Sequence, residues 1–180
     1  VWADAVPQLT GANIPFVIRL RVVLLRDLGA PLSPFNAFQI IQGLETVGLR
    51  MKQHCSNAEK VVSFLETQKK VTNVIYPTNH QGEIKERAKK YMQGGYGSLV
   101  GMDVGTKENG AKFIDNLKML YHVANIGDAR SLAIHPATTT HSQLNDKELL
   151  AAGVTPGYVR LSVGIEHPDD IIADIKQALA

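Results

Sequence analysis

One arginine lies in a short apolar stretch near the end of the chain. The apolar residues Val159, Leu161 and Val163 alternate there with Tyr158, Arg160 and Ser162. A strand with this alternation points its apolar side chains to the core and Arg160 to the opposite face. A guanidinium stays charged at physiological pH and binds a carboxylate through two parallel hydrogen bonds. Arg160 is therefore a candidate receptor for the carboxylate of a small acid or amino acid.

A second interpretation of Arg160 needs no ligand. An arginine on the solvent-exposed face of a strand often pairs with a nearby acid, and Glu166 lies six residues downstream. Exposed ion pairs of this kind contribute little to stability. Spacing alone favours this second interpretation.

The segment 125–142 is rich in small hydroxyl side chains and contains His135 and His141. Such a loop could orient a polar ligand, although serine and threonine are also common in ordinary turns. The chain has no Gly-x-Ser-x-Gly motif for a nucleophilic serine. Its six histidines form no His-x-x-x-His pair, so we expect no metal site. Gly94–Gly97 precedes a predicted strand, which indicates a turn and not a dinucleotide-binding loop.

Composition limits the class of protein. The 180 residues are 44% hydrophobic, which is enough for one large domain or a domain plus an appendage. The net charge of +2 is too small to favour binding to nucleic acid. The single cysteine, Cys55, excludes an internal disulfide and fits the cytoplasm. We find no run long enough to span a membrane and no signal peptide. The first residue is Val1, which suggests a fragment or a processed product.

Hydrophobic periodicity predicts helices and strands that alternate through most of the chain. We predict a helix over 14–27, then a long helix from the Ser33 cap to about residue 68, kinked near Gly48 or around 54–57. Further helices are predicted at 84–92, 107–120, 145–152 and 168–180, and strands at 71–76, 97–104, 122–126, 131–134 and 158–163. This pattern predicts an α+β fold, a two-layer α/β arrangement with an open, mainly antiparallel sheet and helices on one face.

Three motifs occur in a fixed order along the chain. They are Leu32–Met51 (LSPFNAFQIIQGLETVGLRM), Ser131–His141 (SLAIHPATTTH) and Val159–Glu166 (VRLSVGIE). Together they resemble the C-terminal third of the Cys/Met-metabolism family of pyridoxal-phosphate enzymes, which includes cystathionine γ-synthase, methionine γ-lyase and O-acetylhomoserine sulfhydrylase. The resemblance extends from about Asn13 to the C-terminus.

Within that family, two positions and one segment favour the sulfhydrylase branch. They are Asn36, Gln42 and the segment 21–29 (RVVLLRDLG). The resemblance therefore implies an enzyme that makes homocysteine or methionine from O-acetylhomoserine and a sulfur nucleophile by γ-replacement. Methionine γ-lyase and cystathionine γ-synthase are the alternatives within the family. A non-catalytic domain that binds an amino acid or mediates assembly is the alternative from another class.

The resemblance also implies a fold-type-I domain organisation. Residues 1–32 would be the trailing edge of the cofactor domain, 33–68 a long linking helix, and 69–180 a C-terminal domain that binds the substrate carboxylate. The implied partners are the N-terminal cofactor domain, a small amino-acid substrate and other subunits of a homo-oligomer, a tetramer in the parent protein.

Residue roles follow by matching motifs. Arg160 would bind the substrate α-carboxylate, and Ser131 would lie beside the cofactor lysine and the substrate. Thr140 and His141 would lie near the site without an assigned role.

The sequence departs from the family pattern in one respect. The cofactor lysine of the family follows a Ser-x-Thr motif, and neither Lys69 nor Lys107 has that context. The remaining cofactor-binding residues would lie upstream of Val1. We therefore expect no catalytic residue in this chain, no covalently bound pyridoxal phosphate and no activity of the chain alone.

Overall fold

The computed structural model describes residues 14–180 of the chain. It contains two compact units, Val1–Thr46 and Val47–Ala180, which are described separately. The first part of the predicted segment 1–32, and Asn13 where the resemblance begins, lie outside the described residues. Across residues 14–180, no helix combines the length and the apolar character needed to cross a membrane.

The described part of the first unit is helical. Helix α1 (Pro15–Arg19) continues as a π-helix over Leu20–Asp27, and α2 spans Pro34–Glu45. Ser33 caps α2, because its hydroxyl accepts a hydrogen bond from the Asn36 N–H at 3.2 Å. The predicted helix and the predicted cap are confirmed. None of these helices contains a fully buried residue.

The second unit begins with helix α3 (Val47–Leu65). The single long helix predicted over 33–68 is therefore two helices, separated at Thr46, whose backbone (φ −109°, ψ 2°) departs from helical geometry. The break falls just before Gly48. The break therefore matches the first of the two predicted positions, and the helix is regular at the second, around 54–57. Those residues are held in a regular helix because the side chains of His54 and Asn57 are buried in the fold.

Short strands and helices alternate through the rest of this unit. They are β1 (Asn73–Ile75), a 3₁₀ turn (Pro77–Asn79), α4 (Gly82–Tyr91), β2 (Leu99–Asp103), α5 (Lys107–Asn116), β3 (Tyr121–His122), β4 (Leu132–Ile134), a second 3₁₀ turn (Pro136–Thr138), α6 (Asp146–Ala151), β5 (Tyr158–Ser162) and α7 (Pro168–Ala178). Each predicted element is present. Several are shorter than predicted, among them the strands predicted over 71–76, 97–104 and 122–126 and the helix predicted over 107–120. The strand predicted over 122–126 ends at His122, because residues 123–126 pair with no strand and are exposed.

The five strands form one open sheet in the order β1-β2-β5-β4-β3. Three neighbouring pairs are antiparallel, and only β3 and β4 are parallel. This mixed, mainly antiparallel sheet with helices confirms the predicted α+β class. Strand β5 lies at the centre of the sheet, where Arg160 is opposite Gly101 of β2 and Ile134 of β4.

The core lies between one face of the sheet and the helices α3, α5 and α7. Its fully buried members include Val61, Leu65, Val100, Met102, Val159, Leu161, Ile171 and Ile175. Burial of each such side chain is worth about 1.5–3 kcal/mol relative to exposure. Because Val159 and Leu161 face this core, strand alternation turns Arg160 to the other face of the sheet.

Candidate functional site

Arg160 lies at the centre of the sheet with most of its hydrogen-bonding capacity unused. Its Nη2 donates to the backbone oxygen of Asn125 at 3.4 Å. Its Nε is buried and has no hydrogen-bond partner, the one such side-chain atom in the part of the chain that the structure describes. A guanidinium has five N–H donors, and a buried donor without a partner is costly. The guanidinium therefore carries N–H donors that no acceptor within residues 14–180 satisfies.

The ion pair between Arg160 and Glu166 does not form. Both carboxylate oxygens of Glu166 accept hydrogen bonds from Ser131, one from its N–H at 2.7 Å and one from its hydroxyl at 2.8 Å. The ion pairs found within residues 14–180 involve other side chains. Arg160 is therefore not neutralised locally, and the interpretation that needed no ligand loses its basis.

Tyr158 lies on the same face of β5 as Arg160, and its ring covers Gly101. Burial raises the pKa of the Tyr158 phenol, while the nearby charge of Arg160 acts in the opposite direction. The phenol thus stays neutral at physiological pH. Ser162, also on this face, accepts a hydrogen bond from the N–H of Gly127 at 3.3 Å. The loop that follows β3 is in this way bonded to β5.

Ser131 is fully buried, with 0% of its surface exposed. Its hydroxyl donates to Glu166 and accepts a hydrogen bond from the N–H of Gly164 at 2.8 Å. A substrate could reach this hydroxyl only after the residues around it had moved. The contact between Ser131 and substrate stays a prediction.

Thr140 and His141 lie beyond the 3₁₀ turn that follows β4. The Thr140 hydroxyl and His141 Nδ1 are 2.8 Å apart, and the His141 N–H donates to the backbone oxygen of Pro136. These bonds are local and do not lead to Arg160. Their proximity to the site stays a prediction.

His135 is a buried structural residue. Its Nε2 must carry the proton, because it lies 2.8 Å from the carbonyl oxygen of Pro156, and Nδ1 then accepts from the Thr138 hydroxyl at 2.9 Å. Burial is the main cause that lowers the pKa of His135, so the ring is neutral. Within residues 14–180, no three His, Cys, Asp or Glu side chains converge to hold a metal ion.

Sequence reasoning named Asn125 only as the first residue of a polar segment. In the structure its carbonyl is the protein acceptor for Arg160. A backbone contact of this kind leaves no signal in residue type, since any residue at that position has a carbonyl.

The chain is similar to a known protein family over nearly its whole length. The sequence profile described as "Cys/Met metabolism PLP-dependent enzyme" matches residues 10–180. The chain belongs to this family of pyridoxal-phosphate-dependent enzymes.

Several members of the family are similar to the chain. The O-acetyl-L-homoserine sulfhydrylase of Leptospira meyeri is 52% identical over 171 residues, which cover 94% of this chain and 39% of that protein. The homocysteine/cysteine synthase of Saccharomyces cerevisiae is 44% identical over 177 residues, which cover 92% of this chain and 40% of that protein. A crystal structure of an O-acetylhomoserine (thiol)-lyase from Campylobacter jejuni, which contains N′-pyridoxyl-lysine-5′-monophosphate, superposes with a TM-score of 0.84 at 42% identity.

That superposition covers 95% of this chain and 41% of the Campylobacter jejuni chain. The chain thus spans about two fifths of the length of the relatives that it matches. The resemblance seen in the three sequence motifs is confirmed at the level of the family, and the structural match confirms the fold.

Proposed function

We propose that the protein to which this chain belongs is a sulfhydrylase that makes homocysteine from O-acetylhomoserine and a sulfur nucleophile by γ-replacement. The names of the similar enzymes from Leptospira meyeri, Saccharomyces cerevisiae and Campylobacter jejuni support this activity over γ-elimination of methionine. In this proposal the chain supplies the part of the enzyme that binds the substrate carboxylate.

The observation that carries the proposal is the unsatisfied guanidinium of Arg160. Its Nε is buried without a partner, and its one hydrogen bond, to Asn125, is long at 3.4 Å. A carboxylate bound to two parallel N–H groups of the guanidinium would neutralise the charge, and it would reach the buried Nε once the residues around it had moved. Because β5 is the central strand, the guanidinium is held on a rigid element. Such an anchor fixes the orientation of a bound amino acid, which is a positioning role.

The residues of this chain fit the substrate and not the cofactor. All twelve of its lysines lie at the surface, and Lys85 alone among them is partly covered. None follows a Ser-x-Thr motif. We therefore propose that pyridoxal phosphate is held by residues outside this chain, where it would supply the electron sink for the reaction. The chain alone would neither bind the cofactor covalently nor turn over substrate.

Two further properties belong to the same proposal. We propose that the enzyme acts in the cytoplasm, which the single cysteine, free and buried, supports. We also propose a homo-oligomer in which this chain contacts the N-terminal cofactor domain of the parent protein. Light scattering on the full-length protein would test the oligomer.

The activity is tested on the full-length protein with O-acetylhomoserine plus sulfide, and separately with methionine alone. We expect turnover with the first pair and little with methionine. Arg160→Ala should raise the KM for O-acetylhomoserine about 100-fold, since a hydrogen-bonded charge contact of about 1.5–3 kcal/mol is lost. Arg87→Ala, which removes an exposed arginine paired with Glu83, is the matched control. An unchanged KM in Arg160→Ala would overturn the assignment, and faster turnover of methionine would favour the γ-lyase.

A further inference from the structure

We infer that Glu166 is a positioning residue for the carboxylate-binding site. It holds the loop 125–131 against the strand that carries Arg160, through bonds that tie the two segments together. This inference rests on the proposed role of Arg160 and adds to it a residue that does not touch the substrate.

The link between Glu166 and the loop is a three-residue clamp, defined as Ser131, Gly164 and Glu166. One carboxylate oxygen accepts from the Ser131 N–H at 2.7 Å and the other from the Ser131 hydroxyl at 2.8 Å. The same hydroxyl accepts from the Gly164 N–H at 2.8 Å. Hydrogen bonds to a charged acceptor are roughly twice as strong as neutral ones. The clamp therefore joins the end of the loop to the segment after β5.

The two segments are in close contact at Gly164. A Cβ at Gly164 would lie 2.3 Å from Glu166 Oε2, 2.5 Å from the Ala129 oxygen and 2.6 Å from the Arg130 carbonyl carbon. The Ile165 N–H also donates to the Ala129 oxygen at 2.9 Å. Only glycine fits at position 164, because the backbones approach so closely.

Helix α3 holds the clamp from the other side. The Asn57 amide donates to the backbone oxygens of Gly164 at 3.0 Å and Glu166 at 2.8 Å. His54 Nδ1 lies 2.6 Å from the Val163 oxygen, so that nitrogen must be the donor. Both side chains are buried, with His54 at 1% and Asn57 at 0% exposure. The position of Glu166 is therefore set by the core and not by solvent.

The clamped loop reaches Arg160 at its other end. The carbonyl of Asn125 accepts from Arg160 Nη2, and the N–H of Gly127 donates to Ser162 two residues along β5. Asn125 and Ile126 are themselves exposed, so the position of the Asn125 carbonyl depends on how the rest of the loop is held. Loss of the clamp would remove the charged bonds at Ser131 and leave the loop held by the weaker backbone and Ser162 bonds, so that the acceptor of the guanidinium shifts. Small displacements of such an anchor are expensive for substrate positioning.

The clamp requires a carboxylate and not an amide. In Glu166→Gln, one position that now accepts from Ser131 would become an NH₂ donor. If that NH₂ faces the Ser131 hydroxyl, the hydroxyl proton is left without an acceptor. If it faces the Ser131 N–H, two hydrogen-bond donors point at each other. The substitution keeps size and shape, so it tests the bonds without creating a cavity.

The experiment measures KM and kcat for O-acetylhomoserine on the full-length enzyme. We expect Glu166→Gln to raise KM about tenfold with a smaller change in kcat, and Ser131→Ala to act in the same direction. Combined with Arg160→Ala, Glu166→Gln should change KM no further, because both act on one contact. The matched control is Glu148→Gln, an exposed carboxylate in the capping box of α6.

The outcomes separate this inference from the proposed function. If Arg160→Ala raises KM and Glu166→Gln does not, the inference is wrong and the role of Arg160 stands. If Arg160→Ala leaves KM unchanged, the proposed function itself fails. A merely structural Glu166 would lower the Tm and act equally with and without Arg160, which also overturns the inference. If Glu166→Gln does not fold, Glu166→Asp decides, since it keeps the carboxylate but shortens its reach toward Ser131 by one methylene; an unchanged KM in Glu166→Asp would then overturn the inference.

Discussion

The ring of Tyr158 occupies the space that a side chain on Gly101 would need. A Cβ at residue 101 would lie 2.7 Å from Tyr158 Cε2 and 3.1 Å from the Cβ of Ile75. Gly101 is also the residue of β2 that pairs with Arg160. The glycine therefore determines where the phenol lies on the face that carries the candidate receptor.

Gly101→Ala should destabilise the protein by about 1–3 kcal/mol, because the added methyl group overpacks this face of the sheet. Urea unfolding followed by circular dichroism measures the change. Gly94→Ala is the control, since a Cβ there meets nothing within 4 Å. Equal stability of the two variants would show that the ring of Tyr158 moves aside without cost.

Arg160→Lys tests whether charge or shape matters at the candidate receptor. A lysine keeps the positive charge but presents a single ammonium group in place of the planar fork. We expect the KM for O-acetylhomoserine to rise about tenfold, less than for Arg160→Ala, with kcat less affected. Steady-state kinetics of the full-length enzyme measure this, and a wild-type KM would show that a point charge is sufficient.

Asp174 on α7 holds the turn between α5 and β3. Its carboxylate accepts from the N–H groups of Lys118, Met119 and Leu120 at 2.9, 2.8 and 3.0 Å. Burial acts to raise the pKa of Asp174, but the bonds from these N–H groups and from Gln177 prevail and lower it. Asp174→Asn would turn an amide NH₂ toward these donors. We expect a loss of about 2–3 kcal/mol at pH 7, measured by thermal unfolding.

The stability lost in Asp174→Asn should become smaller as the pH falls. Because the folded pKa of Asp174 is lowered, its contribution is full above the unfolded pKa of about 3.9 and disappears as pH falls through the folded value. The Tm difference between wild type and Asp174→Asn should therefore be constant from pH 7 to about 5 and shrink below about pH 4. Asp115→Asn, which removes an exposed carboxylate of α5, is the matched control.

Protonation of the buried His135 ring should destabilise the protein in mild acid. Its folded pKa is lowered, mainly by burial, so the stabilisation is complete above the unfolded pKa of about 6.5 and is lost as pH falls toward the folded value. His135→Gln should be less stable than wild type at pH 7.5 by about 1–3 kcal/mol and lose less between pH 7.5 and 5.5. Tm measurements at both pH values test this, with His80→Gln as the control. Parallel losses in wild type and His135→Gln would contradict it.

Much of the second unit was predictable because the signals are local. The alternation of Val159, Arg160 and Leu161 determines which side chain faces the core, whatever the neighbouring strands are. In the first unit, the Ser33 cap begins a helix for the same reason, since its hydroxyl bonds to the N–H of Asn36 only three residues later. The strand predicted over 122–126 was too long, since a strand needs a partner and none lies beside residues 123–126.

The environment of Arg160 could not be read from the sequence in the same way. Spacing favoured an ion pair with Glu166, yet that carboxylate bonds to Ser131, 35 residues earlier in the chain. Which donors a carboxylate accepts hydrogen bonds from depends on distances across the fold, and a pattern of residue types does not show these distances.

The sequence by itself determined the family, the order of helices and strands, and the face of β5 on which Arg160 lies. These follow from motifs and periodicities that span a few residues each. Tertiary structure decided that the guanidinium is left with a buried, unbonded Nε and that Ser131 is covered by Glu166 and Gly164. Those facts depend on hydrogen bonds between segments far apart in the chain, whose geometry exists only after the strands and α3 have packed together.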